Sequence, residues 1–114
     1  MTEPNYLVVV DDTDESALAM RYAALRAKMT GGNIMLAHIV PKPEFLLSGG
    51  LQDMIAAEAQ EAAEALLSRK AEEVMALSGQ RPALVIREGK AIDEVSQMLT
   101  ENNVHALILG AAAK

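Results

Sequence analysis

The sequence predicts a single α/β domain built on an open, doubly wound parallel sheet. Four short runs rich in Val, Ile and Leu are almost continuously apolar, which is typical of strands buried on both faces of a parallel sheet. The segments between them have the period of helices, so the predicted order is β-α-β-α-β-α-β. The length of 114 residues suits one hydrophobic core and not two. The predicted strands are residues 6–10, 34–40, 83–86 and 106–109.

The first predicted helix follows the first strand. Gly31 and Gly32 are expected to end it, with a glycine in the left-handed conformation. Four apolar residues recur at helical spacing and define the face that an amphipathic helix normally buries. They are Leu18, Tyr22, Leu25 and Met29.

Two further helices are predicted, the second ending at Gly79 and Pro82 and the third at Asn102 and Asn103. The second has an apolar face and an acidic face, and the third has a short apolar face. The seven methionines are interpreted as core packing. The apolar face of the second helix comprises Leu51, Ile55, Ala59, Ala62, Leu66, Val74 and Leu77. Its acidic face comprises Glu58, Glu61, Glu64 and Glu72, and the third helix carries Ile92, Val95 and Leu99.

The composition excludes several classes of function. With 16 acidic and 10 basic residues, the chain has a net charge of −6 and lacks the Lys and Arg fields that nucleic acids and anionic membranes require. It has no cysteine, which removes disulfides, thiolate metal sites and thiol nucleophiles. No apolar run approaches the roughly 18 residues of a membrane span. The first residues lack the basic and apolar regions of a signal peptide, so we expect a cytoplasmic protein.

A ligand site is expected at the carboxyl ends of the first and fourth strands. Right-handed crossovers give the strand order 3-2-1-4, in which the direction of winding reverses between these two strands. Ligands of open α/β sheets bind outside the carboxyl ends at such a switch point. The segments that meet there are residues 10–16, 38–40 and 110–113. The connection 41–50 is expected to be either a mobile loop beside the site or a packed cover.

Acidic residues crowd the loop after the first strand. Asp12 or Thr13 is expected to cap the following helix, and Asp14 and Glu15 to lie against its positive end. Asp11 lies at the end of the strand and is the candidate to contact a ribose hydroxyl, a base edge or a divalent cation. The loop contains neither Gly nor Lys, so a phosphate would bind beside the fourth strand instead.

No catalytic constellation is evident. His38 is interpreted as a satisfied core or strand-end histidine, and His105 as structural. Their spacing matches no metal-binding motif, and no Ser-His-Asp set can be assembled. Ser16 lies in a first helical turn without the glycines of a nucleophile elbow. We therefore assign no catalytic residues and no metal-binding motif, and we expect a protein that is not an enzyme, with weak ATP hydrolysis as the open alternative.

Two blocks of the sequence resemble the universal stress protein (UspA-type) family. In YLVVVDDTDESALAMRYAALRAKMTGGNIMLAHIV, a strand ending in Val-Asp precedes an acidic helix start, an Ala/Leu-rich helix, a glycine and a second strand. VIREGKAIDEVSQMLTENNVHALILG resembles the third strand, the following helix and the fourth strand of that family. The resemblance implies a five-stranded sheet of the adenine nucleotide alpha hydrolase-like type. It also implies frequent dimers and, in one branch, an ATP site at the switch point.

The resemblance implies particular site residues. Val10 and Asp11 match the first-strand positions that line an adenosine pocket, and Asp11 matches the acid that contacts the ribose or base. Asp12, next to them, joins the candidate site. Ile39 matches the position where the backbone meets adenine.

The phosphate half of the implied site departs from the family pattern. Gly110 matches the first glycine of the motif Gly-x2-Gly-x9-Gly-Ser/Thr, whereas Ala113 occupies the place of the second. An alanine there restricts the approach of the backbone to phosphate. The implied cofactor is ATP or another adenine nucleotide, with Mg²⁺ as a further candidate. The implied partner is a second copy of the chain.

Two other classes are alternatives. A response-regulator receiver domain also begins with a strand ending in two acids, and would use Asp11 and Asp12 to bind Mg²⁺. Its phosphorylated Asp should end a third strand, but Asp53, at about the right distance, follows no strand-like run. A small enzyme of the adenine alpha-hydrolase type shares the architecture but has no signature here.

The fourth predicted strand would be an exposed apolar edge, which proteins usually cover or charge. We therefore expect residues 1–114 to be a single domain that lacks its C-terminal strand and helix. The whole polypeptide would then have roughly 140–150 residues, within the usual range for one domain. Alternatively, a second chain covers this edge.

Overall fold

Within the residues that the structure describes, four parallel strands and three helices alternate, as the sequence predicts. The structure is a computed structural model that describes residues 5–40, 50–101, 104 and 106–109. The first three observed strands differ from the predicted ones by one or two residues at their ends, and the fourth has the predicted bounds. The elements are β1 Asn5–Val9, α1 Asp14–Thr30, β2 Asn33–Val40, α2 Gly50–Ser78, β3 Ala83–Glu88, α3 Ala91–Glu101 and β4 Ala106–Leu109.

The strand order is β3-β2-β1-β4, which confirms the predicted topology. All three strand pairs are parallel, with Leu7 opposite Met35 and Leu107, and Ala37 opposite Val85. Because the strands are parallel, the carboxyl ends of β1 and β2 lie at the same edge of the sheet, which we call the carboxyl edge. Among the described strands, β3 and β4 are the two outermost strands of the sheet.

The core has two layers, one on each face of the sheet. Successive side chains of a strand point to opposite faces. Tyr6, Val8 and Val10 accordingly pack with α1 and α2, whereas Leu7 packs with Ala37 and with α3. Both sets are almost completely buried, so β1 is apolar on both faces as its sequence predicts.

The ends of α1 are the predicted ones. Thr13 is the N-cap, since its side chain accepts a hydrogen bond from the backbone N–H of Ser16. Asp14 and Glu15 occupy the first turn, where negative charge is favourable. Gly31 is the C-cap in the left-handed conformation, with φ 73°, and its N–H donates to the carbonyl of Ala27. A glycine takes this conformation without the strain that a side chain would add.

The face that α1 buries is not the predicted one. Leu18, Tyr22, Leu25 and Met29 are 63%, 58%, 50% and 78% exposed. The helix instead packs through small residues and one methionine, which let its backbone approach the sheet and α2 closely. The buried residues are Ser16, Met20, Ala23, Ala24 and Ala27. The prediction rested on hydrophobic periodicity alone and therefore favoured the stripe of larger side chains. That stripe faces outward in the structure.

The faces of α2 are mostly as predicted. Leu66 and Val74 are buried, Ala63 and Leu67 join them, and the predicted glutamates are exposed. Two predicted positions of the apolar face are exposed instead: Ile55, which is 42% exposed like the rest of residues 53–58, and Ala62. The side chain of the predicted Leu51 lies outside the described part of the chain.

In α3 the buried residue is Met98, with Val95 packed beside it. The predicted Ile92 is 81% exposed and Leu99 is 36% exposed. The core-packing interpretation holds for Met20 and Met98 but is wrong for three methionines that are largely exposed. These are Met29, Met54 and Met75. Asn102, Asn103 and the connection 41–49 lie outside the described residues.

Met98 provides a test of the layer formed by α3. Met98→Ala should lower the free energy of unfolding by about 2–4 kcal/mol, because it removes a fully buried side chain and leaves a cavity. Met29→Ala, at a position that is 78% exposed, is the matched control and should change it by less than about 0.5 kcal/mol. Urea denaturation measures both. Equal losses for the two variants would contradict the assignment of the two side chains.

Candidate functional site

The loop between β1 and α1 is held by a small hydrogen-bond network. The backbone N–H of Asp11 donates to Ser16 Oγ at 2.8 Å, and Ser16 is completely buried. Asp11 Oδ1 accepts from the Thr13 backbone N–H at 2.9 Å and from Thr13 Oγ1 at 2.5 Å. An Asp that bonds to the backbone two residues ahead forms an Asx turn. Asp11 therefore shapes the loop as well as lying at the predicted site.

His38 connects β2 to the end of β1. Its Nδ1 lies 2.8 Å from the carbonyl oxygen of Val10. A carbonyl oxygen only accepts, so Nδ1 carries the hydrogen, and in the neutral ring Nε2 is then an acceptor. The backbone N–H of Val10 also donates to the carbonyl of Ala37 at 2.8 Å. These bonds agree with the interpretation of His38 as a satisfied strand-end histidine.

A cavity of about 370 Å³ opens beside His38 and the ends of β1 and β2. Asp12, His38 and Val40 contribute the carboxyl edge of the sheet. The opposite wall comes from α2, where small side chains leave room between helix and sheet. These residues are Ala59, Ala62, Ala63, Leu66 and Arg69. We call this space the edge cavity.

The edge cavity combines an apolar lining with one acidic and one basic side chain. Asp12 and Arg69 are both exposed, and neither makes an ion pair with another residue in the described ranges. Arg21, Lys70 and Arg87, in contrast, each make an ion pair with a glutamate. The cavity thus presents an uncommitted guanidinium, which can bind an anionic oxygen through two parallel hydrogen bonds.

The structure brings together part of the predicted site. Val10, at the end of β1, is fully buried, while Asp11 and Asp12 in the following loop are exposed. The side chain of Ile39 packs against the cluster on the α3 side of the sheet, on the opposite face from the residues of the edge cavity. This leaves only the backbone of Ile39 for the contact that the family resemblance implies. Gly110 and Ala113 lie outside the described residues, as does His105.

The contribution of α2 was missed by the sequence analysis. Its face was interpreted as core alone, although Ala59, Ala62 and Ala63 form a cluster too small to fill the space beside the sheet. Arg69 follows two turns later, on the same side of the helix, and lines the same cavity. A patch of alanines with one basic residue beyond it is the signal that could have indicated a pocket.

Two other cavities lie away from the carboxyl edge. One of about 150 Å³ is at the amino ends of the strands, lined by Asn5, Asn33 and Ala83 among others. A second, of about 580 Å³, lies between α2 and β3, near Met75 and Leu84, and Arg69 lines this cavity as well as the edge cavity. Neither involves a predicted site residue. The edge cavity is therefore the candidate site, because it lies where open α/β sheets bind ligands.

The structure also bears on the receiver-domain alternative. Asp53 lies in the first turn of α2 and is exposed, so it does not end a strand. In the part of the chain that is described, no three His, Asp or Glu side chains are grouped so that they could hold a metal ion. The described helices include none that is long and apolar enough to cross a membrane.

The fold and the site define a class: an open α/β domain with a crevice at the carboxyl edge, bordered by an Asx turn and a capped helix. The model of the universal stress protein family matches residues 5–114. The chain therefore belongs to the universal stress protein family. A comparison with curated protein sequences finds no match.

Solved structures of this family have the same fold. A universal stress protein from Lactobacillus plantarum superposes with a TM-score of 0.78 at 18% identity, covering 100% of this chain and 81% of that one. One from Burkholderia pseudomallei has a TM-score of 0.80 at 16% identity, covering 94% and 80%. A universal stress protein in complex with cAMP has a TM-score of 0.72 at 14% identity, covering 94% and 72%. At these identities the similarity concerns the fold.

Ser16 provides a test of the loop network. Ser16→Ala should lower the free energy of unfolding by about 1–2 kcal/mol, because the N–H of Asp11 loses its acceptor in a part-buried position. Ser68→Ala, an exposed serine on α2, is the matched control and should have an effect below about 0.5 kcal/mol. Thermal and urea denaturation measure the two changes. A Ser16 variant as stable as the control would show that the network contributes nothing.

Proposed function

We propose that this chain is a regulatory binding domain that takes an adenine nucleotide in the edge cavity, and that it acts by binding rather than by catalysis. The observation that carries the proposal is the cavity itself. It lies beside the carboxyl ends of β1 and β2, has an apolar wall, and is lined also by Asp12, His38 and Arg69. The cAMP complex of a family member with this fold supports the ligand class.

The cavity is suited in size and chemistry to a nucleoside. Pockets for small ligands are mostly apolar spaces of about 300–1,000 Å³ with a few polar groups, and this one has about 370 Å³. The alanines of α2, with Val40 and Leu66, provide flat apolar surface for a base. His38 Nε2 provides an acceptor in the neutral ring, and the exocyclic amine of adenine is a donor.

The acids at the end of β1 would contact the sugar. Asp11 Oδ1 is engaged by Thr13, while Oδ2 makes no hydrogen bond within the described ranges and can accept from a ribose hydroxyl. Asp12 is exposed at the cavity and can accept in the same way. Val10 would support the ligand from below, and Ile39 would contribute its backbone alone.

The phosphates would contact Arg69 on one side and the segment after β4 on the other. Gly110 and Ala113 are the family-matched positions of that segment. Ala113 in place of a glycine weakens a backbone phosphate cradle, so the guanidinium would supply more of the binding free energy. Mg²⁺, where it accompanies the nucleotide, would enter with the phosphates.

A role as a cytoplasmic binding module agrees with the rest of the site. In the described ranges no Ser, Thr or Lys lies beside a histidine at the cavity, so a paired nucleophile and base are not in place. We also propose that the chain forms a homodimer, as the family resemblance implies.

Nucleotide binding can be tested with a pair of alanine variants on α2. ATP, ADP and cAMP should raise the melting temperature of the wild-type chain, and calorimetry should give a dissociation constant for each. Ala62→Leu should weaken binding at least tenfold by filling the edge cavity. Ala65→Leu, at an exposed position on the same helix that does not line the cavity, should bind as the wild type does. Absence of binding at millimolar nucleotide, or equal binding by both variants, would refute the proposed site.

The role of Arg69 can be tested separately from that of the base pocket. Arg69→Ala should weaken the binding of ATP roughly tenfold, because one charge-assisted contact is worth about 1.5 kcal/mol or more. Adenosine, which has no phosphate, should bind the variant and the wild type equally. Arg81→Ala removes another exposed arginine, away from the cavity, and is the control. A loss of adenosine affinity in Arg69→Ala would show that Arg69 supports the pocket rather than the phosphates.

A further inference from the structure

The cavity of about 580 Å³ between α2 and β3 has an apolar lining that the chain leaves partly uncovered. Met75 of α2 and Leu84 of β3 line it and are 40% and 45% exposed. Pro82, just before β3, lines it as well. We call this space the side groove. Large apolar side chains that are exposed together in a groove indicate a binding surface, whereas scattered ones are ordinary.

Two arginines line the side groove, and neither makes an ion pair with another residue in the described parts of the chain. Arg81 lies just before β3, at the amino end of that strand. Arg69 also lines the edge cavity, so it lies toward the carboxyl edge. The side groove therefore runs along β3 with one guanidinium toward each end. In a chain with a net charge of −6, two uncommitted arginines in one groove favour an acidic ligand.

The outer side of β3 offers backbone hydrogen-bonding groups beside the side groove. None of the described strands pairs with β3 on this side. The N–H of Gly89, just after β3, donates to the carbonyl of Val40 in β2. Backbone groups of a strand point alternately to its two sides. Counting back from Gly89, the backbone groups of Leu84, Ile86 and Glu88 therefore point away from β2. An extended chain can pair with such an edge as an added strand.

The same residues of β3 have their side chains on the face of the sheet where the side groove lies. Leu84 is opposite Leu36 in the parallel pair, and Leu36 is buried in the layer that contains α2. Ile86 packs against that layer too. Alternate side chains of a strand added to β3 would point to this face and so toward the side groove.

The length of the side groove indicates the spacing of the groups that an occupant needs. Arg69 lies nine residues before Ser78, where α2 ends, which is about 14 Å along the helix, and Arg81 follows closely. Four residues of extended chain cover about 13 Å. Residues i, i+2 and i+4 of a strand lie on one face. Acids at i and i+4 would thus reach the two arginines, and residue i+2 would lie near Met75 and Leu84.

We propose that the side groove binds an extended acidic segment of another protein, which adds a strand to the outer side of β3. The segment has the pattern acid-x-apolar-x-acid. Glu72 lines the side groove between Arg69 and Met75 along α2, and it disfavours a third acid at the central position. The added strand would also cover an apolar edge, which proteins rarely leave open. Because Arg69 lines both cavities, an acid bound to it would compete with a nucleotide phosphate in the edge cavity.

Two peptides of equal composition test the pattern. In Thr-Glu-Thr-Leu-Thr-Glu-Thr, the glutamates and the leucine share one face of a strand, whereas in Thr-Thr-Glu-Leu-Glu-Thr-Thr the glutamates lie on the opposite face from the leucine. Each peptide, with blocked ends, is titrated without nucleotide into the isotope-labelled chain and followed by NMR. The first should bind at least fivefold more tightly than the second. Equal binding by both, or no binding of the first at millimolar concentration, would overturn the proposal.

The place and mode of peptide binding can be read from individual backbone amides. Hydrogen exchange should slow at Leu84, Ile86 and Glu88, because their outward N–H groups acquire acceptors in the added strand. Arg81→Ala should weaken the binding of Thr-Glu-Thr-Leu-Thr-Glu-Thr roughly threefold to fivefold, as expected for one exposed ion pair. Arg26→Ala removes an exposed arginine of α1 and is the control, which should bind as the wild type does.

The outcome is independent of the proposed nucleotide site. Arg81→Ala should keep the ATP affinity of the wild-type chain, so that the loss of one kind of binding is distinguished from the loss of the other. Peptide binding that Arg81→Ala leaves unchanged, or exchange that slows only in other elements, would contradict the assignment of the side groove. Failure of ATP to bind would leave the peptide result, and the proposal that rests on it, intact.

Discussion

The central strand β1 is the element on which the rest of the structure depends. It is hydrogen-bonded to β2 on one side and to β4 on the other, and both of its faces are covered. Leu7 and Val8, adjacent in sequence, are each completely buried in a different layer of the core. Parallel pairing on both sides obliges the chain to cross over through helices, and right-handed crossovers then determine which helix covers which face. The edge cavity lies at the carboxyl ends of β1 and β2, where α2 passes beside the sheet.

At the end of β1, the residues that stabilise the loop are also residues that we propose to contact a ligand. Asp11 shapes the turn through Thr13 and anchors its own N–H on Ser16. His38 fixes the last carbonyl of the strand, at Val10. These hydrogen bonds restrain the loop, and under the proposed function such restraint would reduce the ordering cost of binding. One oxygen of Asp11 and one nitrogen of His38 then remain for a ligand.

Much of this fold could be predicted because its signals are local. Continuous apolar runs indicate buried strands, and Thr13 and Gly31 mark the ends of α1 through their own hydrogen bonding and backbone freedom. The orientation of α1 could not be predicted in the same way. Its sequence contains a stripe of large apolar residues and a stripe of small ones, and periodicity favours the larger. Alanines such as Ala23 and Ala27 are buried because they allow close approach, which depends on the shape of the sheet and of α2.

The sequence by itself determined the alternation of elements, the strand order and the caps of α1, since each follows from chain-local chemistry or from the handedness of crossovers. Only the tertiary structure decided which face of α1 is buried, that Asp11 holds the loop, and that Arg69 reaches the same cavity as His38. Those properties depend on distances between residues far apart in the chain. In the sequence, the alanines of α2 are interpreted as core residues. In the folded chain they line the edge cavity, because this part of α2 lies beside the carboxyl end of β2.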